Sequence, residues 1–427
     1  MPGSVITQAG NYSLLIETGF DVGSFVLDSD IKGLLDGEYG LGPTTDFANV
    51  TESTTQISIR RGRRDIGDQF AAGTMTFTIN DVDGIFNPFD ENGPFYNTPE
   101  ALPGLAPLRA VELIRYDIAN NPEYLYRGKI VNYDYNFSLD GLDTVTVYCS
   151  DNFYLLSQTF MDELNVTVQT SGQRITTVLD LPEVDYPTGA ARNIDAGTVD
   201  LGHDAAYTVP GGTNVLAYLL QINQTAEFGR FFVSREGVLT FTPRVGQTLS
   251  APAIDFMDDG TGVPYTNLGI TFEADSVTNR AYVENLGGVN ATADDLASQA
   301  AFFVQTYSIT NSLLDDTELA AAATYLLNGT PEARYNSVET VFGALTNAQR
   351  DNVATIDISD TISIQRTFVT GSSTTTLAQE LSVEGVEHTI TLDGHRVALF
   401  TSPTTIVYEL ILDNATYGTL STTNVLG

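Results

Sequence analysis

Along most of the chain, apolar and polar residues alternate in short runs of Thr, Val, Ile, Tyr and Phe broken by Asp, Gly and Asn. A period of two puts one face of a strand on a core and the other in water, so the pattern predicts antiparallel sheet. The clearest strands fall at 56–60, 73–80, 110–116, 143–149, 230–233, 238–242 and 389–392. Three segments carry helical spacing instead. An N-cap signal at Ser171 precedes Ile175, Val178 and Leu179, and 213–228 repeats Val215, Leu216, Leu219, Leu220 and Ile222 before stopping at Gly229. The third spans 315–327 around Ala320 to Ala323. The fold class is therefore mainly β with an α+β character.

Pattern and punctuation change together at a few points, which divides the chain into five parts. An N-terminal β domain covers 1–158 and a mixed α/β domain 159–265. Strands at 266–292 join the C-terminal domain, a helical insertion covers 293–354, and a closing β domain covers 355–427. No fixed-period repeat is evident, and the one low-complexity patch, Gly371 to Thr376, suits a hairpin loop.

Charge narrows the function. The 427 residues carry 54 acids against 19 Lys and Arg, a formal charge of −35, although charged residues make up only 17%. The imbalance comes from missing cations, with Lys32 and Lys129 the only lysines. Such a surface repels phosphate, which argues against a DNA grip built on ion pairs and counterion release, whereas an acid-lined pore would let a duplex slide. An acidic proteome suited to a saline host also explains the balance. Cys149 is the only cysteine, which excludes an intrachain disulfide and a multi-thiolate metal site; it sits in an alternating run as core filling. No signal peptide and no apolar stretch of membrane length is visible.

The chemistry of catalysis is sparse. His203, His388 and His395 are the only histidines, and no HExxH pair, Gly-x-Ser-x-Gly elbow or Walker loop accompanies them. A paired-acid glycosidase stays open on residue types, because its carboxylates are defined only in space. Asp81, Asp83, Asp90 and Glu91 crowd one loop and are candidate cation ligands. The loop is not an EF-hand, since the required glycine and closing glutamate fall on Phe86 and Asn92. It reads more simply as a strand exit, with Asp83 and Gly84 turning and Phe86 and Phe89 pinning it to the core. Arg60, Arg61, Arg63 and Arg64 concentrate positive charge in an acidic chain. They are candidate interface residues for a neighbouring subunit's acids, or alternatively a solvated hairpin tip balancing Asp65 and Asp68.

The order of these pieces resembles a family. The run Ser58 to Asp65, followed by Phe70 to Pro88, resembles the opening of minor tail proteins, the tail-tip or baseplate hub proteins of long-tailed bacteriophages. Leu108 to Arg115 with Tyr126 to Ile130, Val145 to Leu156, Ala226 to Arg244, Leu381 to Ile390 and the tail from Leu412 to Gly427 are similar to that pattern in step down the chain. The resemblance implies a structural virion protein, not an enzyme, with two β-barrel-like hub domains per subunit. It implies a homotrimer whose ring joins the distal tail protein, the tail tube or tape-measure protein, and the tip or fibre proteins. DNA would pass through transiently during ejection without specific binding, and no cofactor is implied. His388 becomes a framework residue, and cell-wall cutting falls to another subunit, because no further module follows the tail motif. Localisation would be the virion tail tip, after synthesis in the host cytoplasm. The rival reading is a secreted or cell-surface adhesin or carbohydrate-active protein, with a concave aromatic site and two apposed carboxylates.

Overall fold

A computed structural model describes residues 11–21, 45–64, 68–97, 101–139, 141–202, 207–244, 248–249, 253–331, 333–391, 393–402, 407–409 and 424–425. Strand accounts for 48% and helix for 19%, so the protein is mainly β. Strands Ala110–Tyr116 and Arg230–Val233 match the predicted bounds, and Thr54–Gly62, Ala71–Asp81 and Asp143–Ser150 extend theirs by one or two residues at one or both ends. His203 and most of the tail motif lie outside the described residues.

Thirteen strands form one sheet. From one edge it runs Thr45–Asn49, Tyr12–Asp21, Ala110–Tyr116, Pro122–Asn136, Asp143–Ser150, Ala71–Asp81 and Thr54–Gly62. It continues through Ser373–Thr391, Gly394–Ser402, Arg334–Val341 and Asn267–Thr271. Two further strands branch off: Thr361–Thr370 pairs with the first half of Ser373–Thr391, and Ile254–Met257 pairs in parallel with Thr361–Thr370. No barrel closes among the described residues. The first and last regions of the chain thus share one sheet and one core, in which Leu14, Ile16, Phe77 and Val147 form a cluster with Ile362, Val386, Ile390 and Val397. Cys149 lies buried in this cluster, as its alternating run predicts.

A second core gathers the middle of the chain. Helix Ser171–Leu179 buries Ile175, Val178 and Leu179, and helix Val215–Ile222 buries Val215, Leu219 and Ile222, against Phe153, Phe231 and Phe241. Ala281, Val283, Leu319 and Ala322 from further along the chain complete it. Residues 267–354 therefore alternate between the cores, since Asn267–Thr271 and Arg334–Val341 sit in the large sheet while Arg280–Asn285 and helix Leu319–Tyr325 pack on the second core.

Local corrections have local causes. The cap of the first of these helices is Thr170, not Ser171, because Thr170 and Gln173 form a reciprocal capping box. The second helix is capped by Asn214 and widens into a π turn over Asn223–Glu227; Phe228 (φ 56°), rather than Gly229, adopts the left-handed conformation. The third is shorter than 315–327: it runs Leu319–Tyr325, and Asp315 makes a turn before it by accepting from the Thr317 N–H. The threonines after Gly371 belong to the ladder, with Thr376 facing Thr367 and Ser373 facing Thr370, so the hairpin loop is shorter than its composition suggests.

Candidate functional site

The two β regions meet where Thr54–Gly62 pairs with the second half of Ser373–Thr391. Gly62 faces Gly385, and the register of the long strand slips between Val383 and Gly385, so Glu384 sits at a bulge. Both glycines are required by approach: a Cβ on Gly62 would fall on the Glu384 carbonyl oxygen, and one on Gly385 on that of Arg63. The Arg63 N–H donates to the Glu384 carbonyl at 2.9 Å, which fixes the arginine run against the bulge.

The buried Glu384 carboxylate is the centre of the charge network. Arg63 Nε donates to it at 2.9 Å, Arg230 Nη2 at 3.0 Å, Arg230 Nε at 3.3 Å and Ser402 Oγ at 2.7 Å. Burial would raise its pKa, but the Arg230 and Arg63 charges outweigh burial and hold the carboxyl below the ordinary glutamate range. Arg230 comes from the second core and also donates to Ser382 Oγ at 2.8 Å, so this carboxylate ties both cores together. Next to it the buried Arg61 pairs with Asp357 at 2.5 Å, and Asp357 accepts from the Arg235 backbone N–H at 2.8 Å.

The four arginines thus find their acids within the chain. Arg60 and Arg64 share Glu387 at 3.3 and 2.8 Å, and these two alone of the four are exposed. The solvated-tip alternative fails for Arg61, which lies in a strand and is only 3% exposed. Carboxyls lacking such pairing respond to burial: Asp151 is pushed up to about 7 despite accepting from the Gly73 and Phe153 N–H groups, and Asp360 to about 6.

The acidic loop is locked by its own backbone. Asp81 is buried and accepts from the N–H groups of Ile85 at 2.8 Å and Phe86 at 3.1 Å, while Asp83, Asp90 and Glu91 point to solvent. Gly84 makes the turn (φ 69°) and Phe86 stacks on Phe95 in the core; Phe89, expected to pin the loop as well, is 82% exposed. Among the described residues no three His, Cys, Asp or Glu side chains converge as a metal set.

His388 and His395 are fully buried and joined, Nδ1 to Nε2, at 3.0 Å, and Tyr12 OH meets His395 Nδ1 at 2.7 Å. Burial, reinforced by Arg61 and Arg235, depresses His388 to about 3; burial, together with His388 and Arg115, holds His395 well below the ordinary histidine value. Neutral and sealed from solvent, the pair lies in the core of the large sheet. Sequence reasoning missed Glu384, Asp357 and Arg230. One signal was present, because an acid within the apolar stretch Leu381 to Val386 needs a cation.

The arrangement is a mainly β scaffold whose two cores are joined by buried charge. No family model matches the sequence, and no curated protein matches it. Solved structures do: the fold is similar to the 43 kDa tail protein of prophage MuSo2 from Shewanella oneidensis, with TM-score 0.52, 10% identity and coverage of 92% of this chain and 96% of that one. It is similar again to the tail protein from Neisseria meningitidis MC58, with TM-score 0.54, 10% identity and coverage of 93% and 98%. The chain therefore has the fold of phage tail proteins.

Proposed function

We propose that the chain is a structural, non-catalytic subunit of a phage tail tip. It would act as a baseplate hub that closes into a homotrimeric ring and links the tail tube and distal tail ring to tip or fibre proteins. The observation that carries this reading is the fold likeness, which runs along 92–93% of this chain and 96–98% of two tail proteins. In a ring, each subunit would contribute its N-terminal and C-terminal β regions as two hub domains facing the tube. Any contact made by the arginine run to a neighbouring subunit would fall to Arg60 and Arg64, because Arg61 and Arg63 are committed to Asp357 and Glu384.

Charge supports the passage of DNA. With a formal charge of −35, a lumen lined by this chain repels phosphate, which keeps a duplex mobile. Light scattering on the purified protein, alone and with the distal tail protein of the same virion, tests the ring. A trimer in either sample is the expected result; a monomer that ignores the partner overturns the hub reading. An assembled ring with a neutral lumen and acids only outside overturns the channel.

A further inference from the structure

One end of the large sheet carries an apolar surface that the hub reading does not use. Strands Ala71–Asp81, Asp143–Ser150 and Pro122–Asn136 end together there, with Asp81 facing Asp143 and Asn136 facing Thr144. Tyr133, Tyr135 and Phe137 stack along one face at successive centroid distances of 6.0 Å, and Tyr135 lines a shallow cleft with Phe86, Pro88, Phe95 and Pro103. Around it Val82, Phe89, Phe137, Leu139 and Leu142 are exposed, Phe89 at 82% and Leu139 completely. Apolar side chains gathered at one site in this way mark contact surfaces in soluble proteins.

Charge identifies the occupant. Asp83, Asp90 and Glu91 are exposed around this surface, and no Lys or Arg occurs from 65 to 108 or from 130 to 173. A second copy of the chain has little to offer such a rim. Among the described residues the exposed cations are Arg60, Arg64, Arg127, Arg366 and Arg396, and each already has a carboxylate within 4.0 Å, namely Glu387 for the first two, then Glu112, Asp258 and Glu339. An anionic lipid surface is repelled by the same acids.

We propose that this end of the sheet docks a different protein chain, through a segment that inserts apolar side chains over Tyr135 and Phe137 and sets lysine or arginine against the acidic rim. The proposal stands independently of the tail-tip reading, since it needs only the surface. The test is fluorescence anisotropy with a short labelled peptide built only of leucine and lysine, and its leucine–glutamate counterpart, at ~0.15 M salt to screen distant charge. It compares the wild type with the Phe89→Ser/Leu139→Ser variant, which keeps every charge and alters only exposed side chains.

The wild type should bind the lysine peptide and ignore the glutamate one, and the variant should bind at least about tenfold more weakly, since two buried apolar side chains are lost from the contact. Equal binding by both proteins, or none by either, overturns the proposal. So does self-association in light scattering that the variant abolishes, which would make the occupant a second copy. Variant-sensitive co-sedimentation with phosphatidylcholine vesicles would make it a membrane and overturn the proposal as well.

Discussion

Replacing Glu384 with glutamine removes one negative charge and leaves the geometry nearly unchanged. Arg63 and Arg230, whose side chains are 13% and 5% exposed, then lose their only shared carboxylate. Removing one partner of a buried ion pair costs about 3–5 kcal/mol, because the arginine charges stay buried after the carboxylate that balances them is gone. Arg230 belongs to the second core and Glu384 to the sheet, so the loss should appear first as loosened contact between the cores. Urea titration followed by near-ultraviolet circular dichroism, with limited proteolysis beside it, reads both effects. The direction of the pKa shift adds a second condition. A carboxyl held below its ordinary value stabilises the fold above that value, and the contribution is lost as pH falls through the folded pKa. The gap between wild type and Glu384→Gln should therefore persist at every pH above 4.5 and shrink only below it. A loss of less than about 1 kcal/mol at neutral pH would refute the idea that this carboxylate holds the cores together.

Gly385→Ala should destabilise by about 2 kcal/mol or more, because the new methyl meets backbone rather than a side chain that could turn away; an unchanged thermal midpoint would show that the bulge can relax. The buried histidines supply a pH dependence of their own. Their folded pKa values lie below the ordinary 6.5, so their contribution is present above pH 6.5 and is lost on acidification at about 1.4 kcal/mol per pH unit per histidine. The stability gap between wild type and His388→Gln/His395→Gln should therefore narrow between about pH 7 and about pH 5 in urea titrations; a constant gap would mean that the pair titrates normally.

Strand positions were legible where alternate residues are buried, as in Ala71–Asp81, where Gly73, Met75, Phe77, Ile79 and Asp81 face the core and the residues between them do not. Strand partners were not legible. The pairing of Ile57 with Ile390 and of Gly62 with Gly385 joins residues more than three hundred positions apart, and nothing local to either strand encodes it. Charge suffered the same limit: the arginine run was visible as an anomaly, but its acids lie on Glu384, Glu387 and Asp357, brought to it only by the sheet. Helix ends shifted for a different reason. Thr170 and Ser171 are both competent caps, and only the reciprocal reach of Gln173 selects the first.

The placement of the few cations connects the scaffold to its surface. Arg61, Arg63 and Arg230 lie inside on carboxylates, and the exposed arginines each rest on an acid of their own chain. These arginines are thus committed to acids of the fold itself, while Asp83, Asp90 and Glu91 are among the acids that face outward. A surface of that kind cannot hold a phosphate backbone, so DNA would meet it as a wall rather than a grip. It also has little exposed charge with which to recognise itself, because among the described residues Arg60, Arg64, Arg127, Arg366 and Arg396 already rest on its own acids. A partner bound at the exposed Phe89 and Leu139 end would therefore have to bring both the cations and the apolar side chains, which makes the charge imbalance a selector of partners as well as a shield against nucleic acid.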